Sequence, residues 1–162
     1  MAGLCQCTCD QCHACENNLF DGLPLEPKAH LAALTEQLVP YGRQHHNPPV
    51  LSEPSWDSPQ TRDLAKRACF DCHSNETVWP WYSNLAPVSW LTQRDVDEGR
   101  RRLNFSAWGQ GEQEVGEIAE LINKGKMPPA YFLLTHPEAR LTAAEKEALI
   151  KGLIASVGAG GS

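Results

Sequence analysis

Apolar residues recur along this chain mostly at spacings of three and four, and proline-rich or polar stretches cut the pattern into short segments. In "LEPKAHLAALTEQLV", Leu31, Leu34 and Leu38 fall on one helical face. The stretch that follows, "PYGRQHHNPPVLSEPSWDS", holds four prolines and little periodicity. Each proline fixes φ and removes a backbone donor, so residues 39–57 read as an extended, flexible strap. Ser58 then offers an N-cap and Pro59 suits the first helical position. Leu64, Ala65, Ala68 and Cys69 share one face of the helix they open. Pro87 can start another helix, with Trp90, Leu91 and Val96 inward and a charged far side through Arg102. Residues 112–124 carry Val115, Ile118, Ala119 and Ile122 at helical spacing, with Gly125 placed to cap them. Thr142 and Glu145 form a capping box ahead of a face of Leu149, Ile150, Leu153, Ile154 and Val157. No strand signal competes. The expected fold class is all-α: a helical domain over 58–157, an irregular Cys-rich segment over 1–38, and a flexible tail at 158–162.

Composition narrows the function classes. Net charge is −6 and the basic residues are scattered, whereas a nucleic-acid binder needs a basic face. No apolar run approaches the roughly 20 residues of a membrane helix. Nothing resembles a nucleophile elbow or a catalytic triad. The informative count is seven cysteines. Four lie in two CxxCH motifs, Cys9-Cys12-His13 and Cys69-Cys72-His73, and Cys5, Cys7 and Cys15 are left over.

CxxCH is the attachment signal of a c-type haem. Two residues on one helical turn separate the thiols by the distance between the vinyl groups, and the next residue projects toward the iron. A bare CxxC could instead be a redox disulfide or half a zinc site. At Cys69, Cys72 and His73 the context favours haem, because a helix leads in and a capped helix closes the chain. A lone methionine, Met127, lies between them in "KMPP". Its thioether suits haem iron, and Pro128 and Pro129 would stiffen the loop that carries it. The bland alternative for Met127 is a gap-filler in the core. His136 is its nearest rival, but a hydrogen bond tying down the loop is the preferred role there. Trp79, Trp81, Tyr82, Trp90 and Trp108 read as core and haem-pocket wall. Arg100, Arg101 and Arg102 read as a solvated helix C-terminus rather than propionate partners.

The stretch "ACFDCHSNETVWPWYSNLAPVSWLTQRDVDEGRRRLNFSAW", followed by "KMPPAYFLLTHPEARLTAAEKEAL", resembles the haem-binding domain family of small c-type cytochromes. The likeness runs from about Leu38 to Leu153 and takes in "YGRQHHNPPV". It implies an all-α, cytochrome-c-like fold with one haem on Cys69 and Cys72, His73 as proximal ligand and Met127 as distal ligand. Members often follow a membrane anchor or signal. Here a Cys-rich segment stands in that place, and the likeness does not reach residues 1–37.

Three readings compete for the front segment: a second haem on Cys9 and Cys12 with His13 proximal, an iron–sulfur site using Cys15, or a zinc knot or disulfide tangle. The haem reading leads, because the chain already needs attachment machinery for Cys69. Two six-coordinate haems need four axial ligands. His13, His73 and Met127 supply three, and His46, then His45, then His30 rank for the fourth, with His136 a further alternative. A front segment of some forty residues is near or below the size that builds a core alone, so a haem there needs cover from the main domain or another chain; a neighbouring copy, in a head-to-tail oligomer or filament, is the expected cover. The expected function is a di-haem cytochrome carrying electrons to redox partner proteins. The alternatives are a mono-haem cytochrome with a metal or disulfide cluster, a haem sensor, or a di-haem peroxidase. Covalent haem attachment implies export to the periplasm or beyond. "MAGLCQCTCDQC" has no charged or apolar leader region, so the expectation is that a leader is missing or the N-terminus is altered.

Overall fold

The computed structural model describes residue 32, residues 34–109 and residues 117–158. The chain divides into two units, Met1–Val39 and Pro40–Ser162. In the first unit, residues 34–36 are helical and the Thr35 hydroxyl donates to the Ala32 carbonyl at 2.8 Å. Leu34 and Leu38, expected on one apolar face, are 67% and 81% exposed. Leu31 lies outside the described residues.

The second unit is helical. Its elements are α1 (Pro59–Ala68), α2 (Phe70–His73), α3 (Val88–Arg102), α4 (Ile118–Asn123), α5 (Phe132–Thr135) and α6 (Ala143–Gly158), with 3-10 turns at Trp81–Asn84 and Pro137–Ala139. Among the described residues no strand forms, and Ser52 and Ala107 make an isolated parallel bridge.

Local chemistry starts and stops these helices. The Ser58 hydroxyl accepts from the Thr61 N–H and Pro59 occupies the first turn, as the sequence predicts. Cys69 (φ −127°) ends α1, and α2 restarts at once, so the CxxCH occupies a tight separate turn rather than a continuation of α1. At α6 the capping box is reciprocal: Glu145 N–H donates to Thr142 Oγ1 at 3.2 Å and Thr142 N–H to Glu145 Oε2 at 2.8 Å. Helix α4 begins at Ile118, and residues 112–116 of the longer predicted helix, Val115 included, lie outside the described residues.

Leu64, Ala65 and Ala68 of α1 pack with Phe70, Leu103, Phe105, Ile122, Leu141, Leu149 and Leu153 into one core. Phe105 stacks between Phe70, 5.6 Å away centroid to centroid, and Trp108, 6.1 Å away. Two positions expected inward face solvent: Leu91 is 40% and Ile154 62% exposed. On α3 Val96 is buried as expected, and Ser89 and Gly99 take the other buried places, because small residues there let the helix approach the strap and α2 closely. The side chain of Val157 and the tail from residue 159 lie outside the described part.

The strap is pinned rather than flexible. Leu51 N–H donates to the Ser106 carbonyl at 2.8 Å, Asn47 Nδ2 to the Thr77 carbonyl at 2.9 Å, and Asn75 Nδ2 to the Pro49 carbonyl at 2.8 Å. These bonds replace the ladder partners that a proline-rich segment lacks.

Candidate functional site

Helix α1 delivers Cys69 at its C-cap, and one turn later α2 presents Cys72 and His73. Both thiols are free and half-buried, and desolvation pushes each up to about 12, so both are neutral. His73 is held from behind by α3. Its Nδ1 lies 3.0 Å from the Gly99 carbonyl and 3.0 Å from the Leu103 carbonyl. Carbonyls only accept, so Nδ1 carries the proton and Nε2 is left with its lone pair. Burial also lowers the His73 pKa and favours the neutral ring. The main chain completes the clamp, with Phe105 N–H donating to the His73 carbonyl at 2.8 Å.

Gly99 makes the clamp possible. A Cβ there would sit 2.3 Å from the Cys72 carbonyl oxygen, well inside contact distance. A glycine inside an exposed, charged helix segment costs helix stability, so its presence in "DVDEGRRR" was the available signal of a close backbone approach.

Met127 arrives through the end of α4. Gly125 (φ +65°) takes the left-handed conformation that glycine favours. Gly125 N–H donates to the Ile122 carbonyl at 3.0 Å and Lys126 N–H to the Leu121 carbonyl at 2.9 Å, a Schellman cap. Met127 N–H also reaches the Leu121 carbonyl, at 3.2 Å, so the cap places the methionine two residues past the turn. The loop after it is tied to α3, where Tyr131 OH donates to Asp95 Oδ2 at 2.8 Å. Burial, then this bond, raises the Tyr131 pKa to about 12, and burial raises that of Asp95.

Cys69, Cys72, His73 and Met127 line one cavity of about 220 Å³, walled by Ile118, Leu121, Ile122, Leu141, Leu149 and Leu153 among others. The cavity is partly open to solvent and its lining is mostly apolar. Its aromatic wall is Phe105, Tyr131 and Phe132. Of the five aromatics expected as core and haem-pocket wall, Trp108 packs on the core and none lines the cavity. Trp79 stacks on His45 at 4.6 Å, Trp81 is 76% exposed, and Trp108 packs on Phe105; neither they nor Tyr82 and Trp90 line the cavity. The loop around "WPWYS" faces the strap, and the helices supply the aliphatic wall.

The other predicted histidines lie elsewhere. His45 is bonded through Nε2 to Ser83, 3.1 Å from its carbonyl and 2.9 Å from its hydroxyl. His46 is exposed, and its carbonyl accepts from Arg100 at 2.9 Å. His136 stacks on Phe132 at 3.9 Å, and its Nδ1 lies 3.1 Å from the Phe132 carbonyl, tying down the loop. None of these three lines the cavity. Cys9, Cys12, His13, His30, Cys5, Cys7 and Cys15 lie outside the described residues.

Arg100 is not part of a solvated helix end. It donates to the carbonyls of Ser74 and His46, to Asn47 Oδ1 and to Thr77 Oγ1, all within 2.9 Å. It therefore stitches the strap to the segment leaving α2. Arg101 and Arg102 pair with Glu98 at 2.7 Å.

The donor set fits haem. Among the described residues no group of three or more His, Cys, Asp or Glu side chains could hold a bare metal ion. One imidazole nitrogen and one thioether suit an iron whose remaining ligands come from a porphyrin, and the aliphatic walls suit its faces. A family model described as the haem-binding domain matches residues 31–155. Neither a curated protein nor a solved structure matches the chain.

Proposed function

We propose that this chain, which belongs to the haem-binding domain family, is a c-type cytochrome that carries electrons. The observation that carries the reading is the convergence of Cys69, Cys72, His73 and Met127 on one apolar cavity. Cys69 and Cys72 would hold the haem by thioether bonds to its vinyl groups, with His73 Nε2 and the Met127 sulfur as axial ligands. When bound, the haem supplies a one-electron iron couple.

The chain does the rest. Gly99 and Leu103 orient the His73 ring and keep its proton on Nδ1. Leu121, Ile122, Leu149 and Leu153 would cover the apolar faces of the haem. With both axial positions filled by protein, no position is left for a substrate, which favours electron transfer over a peroxidase.

The same chemistry extends to Cys9, Cys12 and His13 as a second haem. His46, exposed on the strap, is the candidate distal ligand and could reach a second copy, in a head-to-tail oligomer or filament. Periplasmic or extracellular location and redox partner proteins follow from this reading.

The test is the intact mass of the denatured protein together with a pyridine haemochrome assay. Two haems per chain support the full reading, and one haem, mapped to Cys69 and Cys72, removes the front haem and the filament. A chain from which denaturation extracts the haem is not c-type. Sedimentation as a monomer with both haems six-coordinate ends the oligomer proposal.

A further inference from the structure

Helix α3 touches both sides of the cavity within one turn. Gly99 lies against Cys72 and its carbonyl accepts from His73, on the proximal side. Asp95, four residues earlier and hence on the same face, accepts from Tyr131 on the loop that carries Met127. One rigid element therefore spans the two residues assigned to the iron.

The Met127 loop needs such a tie. Its backbone is anchored at the start by the Schellman cap. Pro128 and Pro129 have no N–H to donate, and Met127 is 37% exposed. Beyond the prolines, Arg67 of α1 holds the far end of the loop through the Glu138 carbonyl, and two side-chain bonds lie nearer Met127. Tyr131 OH reaches Asp95 at 2.8 Å, and Tyr82 OH and Thr135 Oγ1 lie 2.9 Å apart. The first lies four residues from Met127 and the second eight. Both Tyr131 and Asp95 line the cavity, whereas Tyr82 does not. The Tyr131–Asp95 bond is the shorter lever on the sulfur. It joins a phenol to a carboxylate, the stronger class of hydrogen bond.

We infer that Tyr131 and Asp95 form a latch that keeps the Met127 sulfur in place and the sixth coordination position closed. The inference rests on the assignment of Met127 as distal ligand. Opening the latch turns a closed electron-transfer site into one that admits a small diatomic ligand. Tyr131 and Asp95 are positioning residues and touch neither iron nor sulfur in this role.

The experiment uses the holoprotein and carbon monoxide. Tyr131→Phe removes one oxygen and Asp95→Ala removes its acceptor. Each is expected to weaken the methionine–iron charge-transfer band of the oxidised protein. Each should also raise the apparent carbon monoxide affinity of the reduced protein by roughly ten-fold, the scale of one lost hydrogen bond to a charged group. The double variant should match the single variants, because each already breaks the same bond. Tyr82→Phe, which cuts the remoter tie, should change the affinity less. A wild-type protein that shows the band, with Tyr131→Phe and Asp95→Ala indistinguishable from it in carbon monoxide binding, overturns the latch alone. A wild-type protein that carries haem on Cys69 and Cys72 but lacks the band overturns the Met127 assignment, and the latch with it.

Discussion

At the scale of single residues, Gly99 decides how closely α3 meets the CxxCH turn. Adding one methyl group there forces it against the Cys72 carbonyl at 2.3 Å, and backbone cannot move aside as a flexible side chain can. Gly99→Ala is expected to destabilise the holoprotein by about 1–3 kcal/mol in urea denaturation. It should also raise the reduction potential, because the shifted helix weakens the acceptors on His73 Nδ1–H and makes the ring a poorer donor to ferric iron. Gly152→Ala is the control. Its Cβ would strike the Thr61 side chain, away from the cavity, so it should cost stability and leave the potential unchanged.

At the scale of elements, caps were legible because they depend on neighbours in sequence. Ser58 caps α1 through one bond from the Thr61 N–H, at 3.2 Å. Ser58→Ala should cost about 1 kcal/mol, read as a lower urea midpoint with an unchanged slope. Gly125 was legible as a cap for the same local reason, and the cap in turn sets where Met127 leaves α4. Buried faces were less legible. The period of α3 put Val96 and Leu91 inward; Val96 is buried, but Ser89 and Gly99 rather than Leu91 take the other buried places, where the helix meets backbone of the strap and α2. The strap was misread as mobile because its anchors, Asn47, Asn75 and Arg100, act across some 25 to 55 residues.

At the scale of the whole molecule, long-range polar ties make stability depend on pH. Glu53 receives Arg62 through two bonds of 2.7 Å, and Arg62 also lies over the Phe70 ring. The Arg62 hydrogen bond holds the Glu53 carboxyl below its ordinary 4.5. A lowered carboxylate contributes stability above its unfolded pKa and loses it as pH falls through the folded value. Burial raises Asp71 and Asp95, which therefore act with the opposite sign. Thermal midpoints of the wild type and Glu53→Gln should converge as pH falls below about 4.5, and the wild type should be the more stable at neutral pH. Parallel profiles at all pH values would show that the pair contributes nothing through ionisation.

Local pattern alone determined that the chain is helical, where its main helices begin, and that Cys69, Cys72, His73 and Met127 are the residues to watch. Those features are set by periodicity, by caps that bond within a few residues, and by a motif whose spacing is its chemistry. Only the tertiary structure decided which groups surround them. It chose aliphatic side chains from α4 and α6 for the cavity wall, removed His45 to a structural bond, and gave His73 its tautomer through two carbonyls 26 and 30 residues away. The same fold brings Asp95 and Tyr131 together across 36 residues. Such pairings depend on which helix faces meet, and in a chain of short helices that is fixed by close packing around one cavity rather than by any local run of residues.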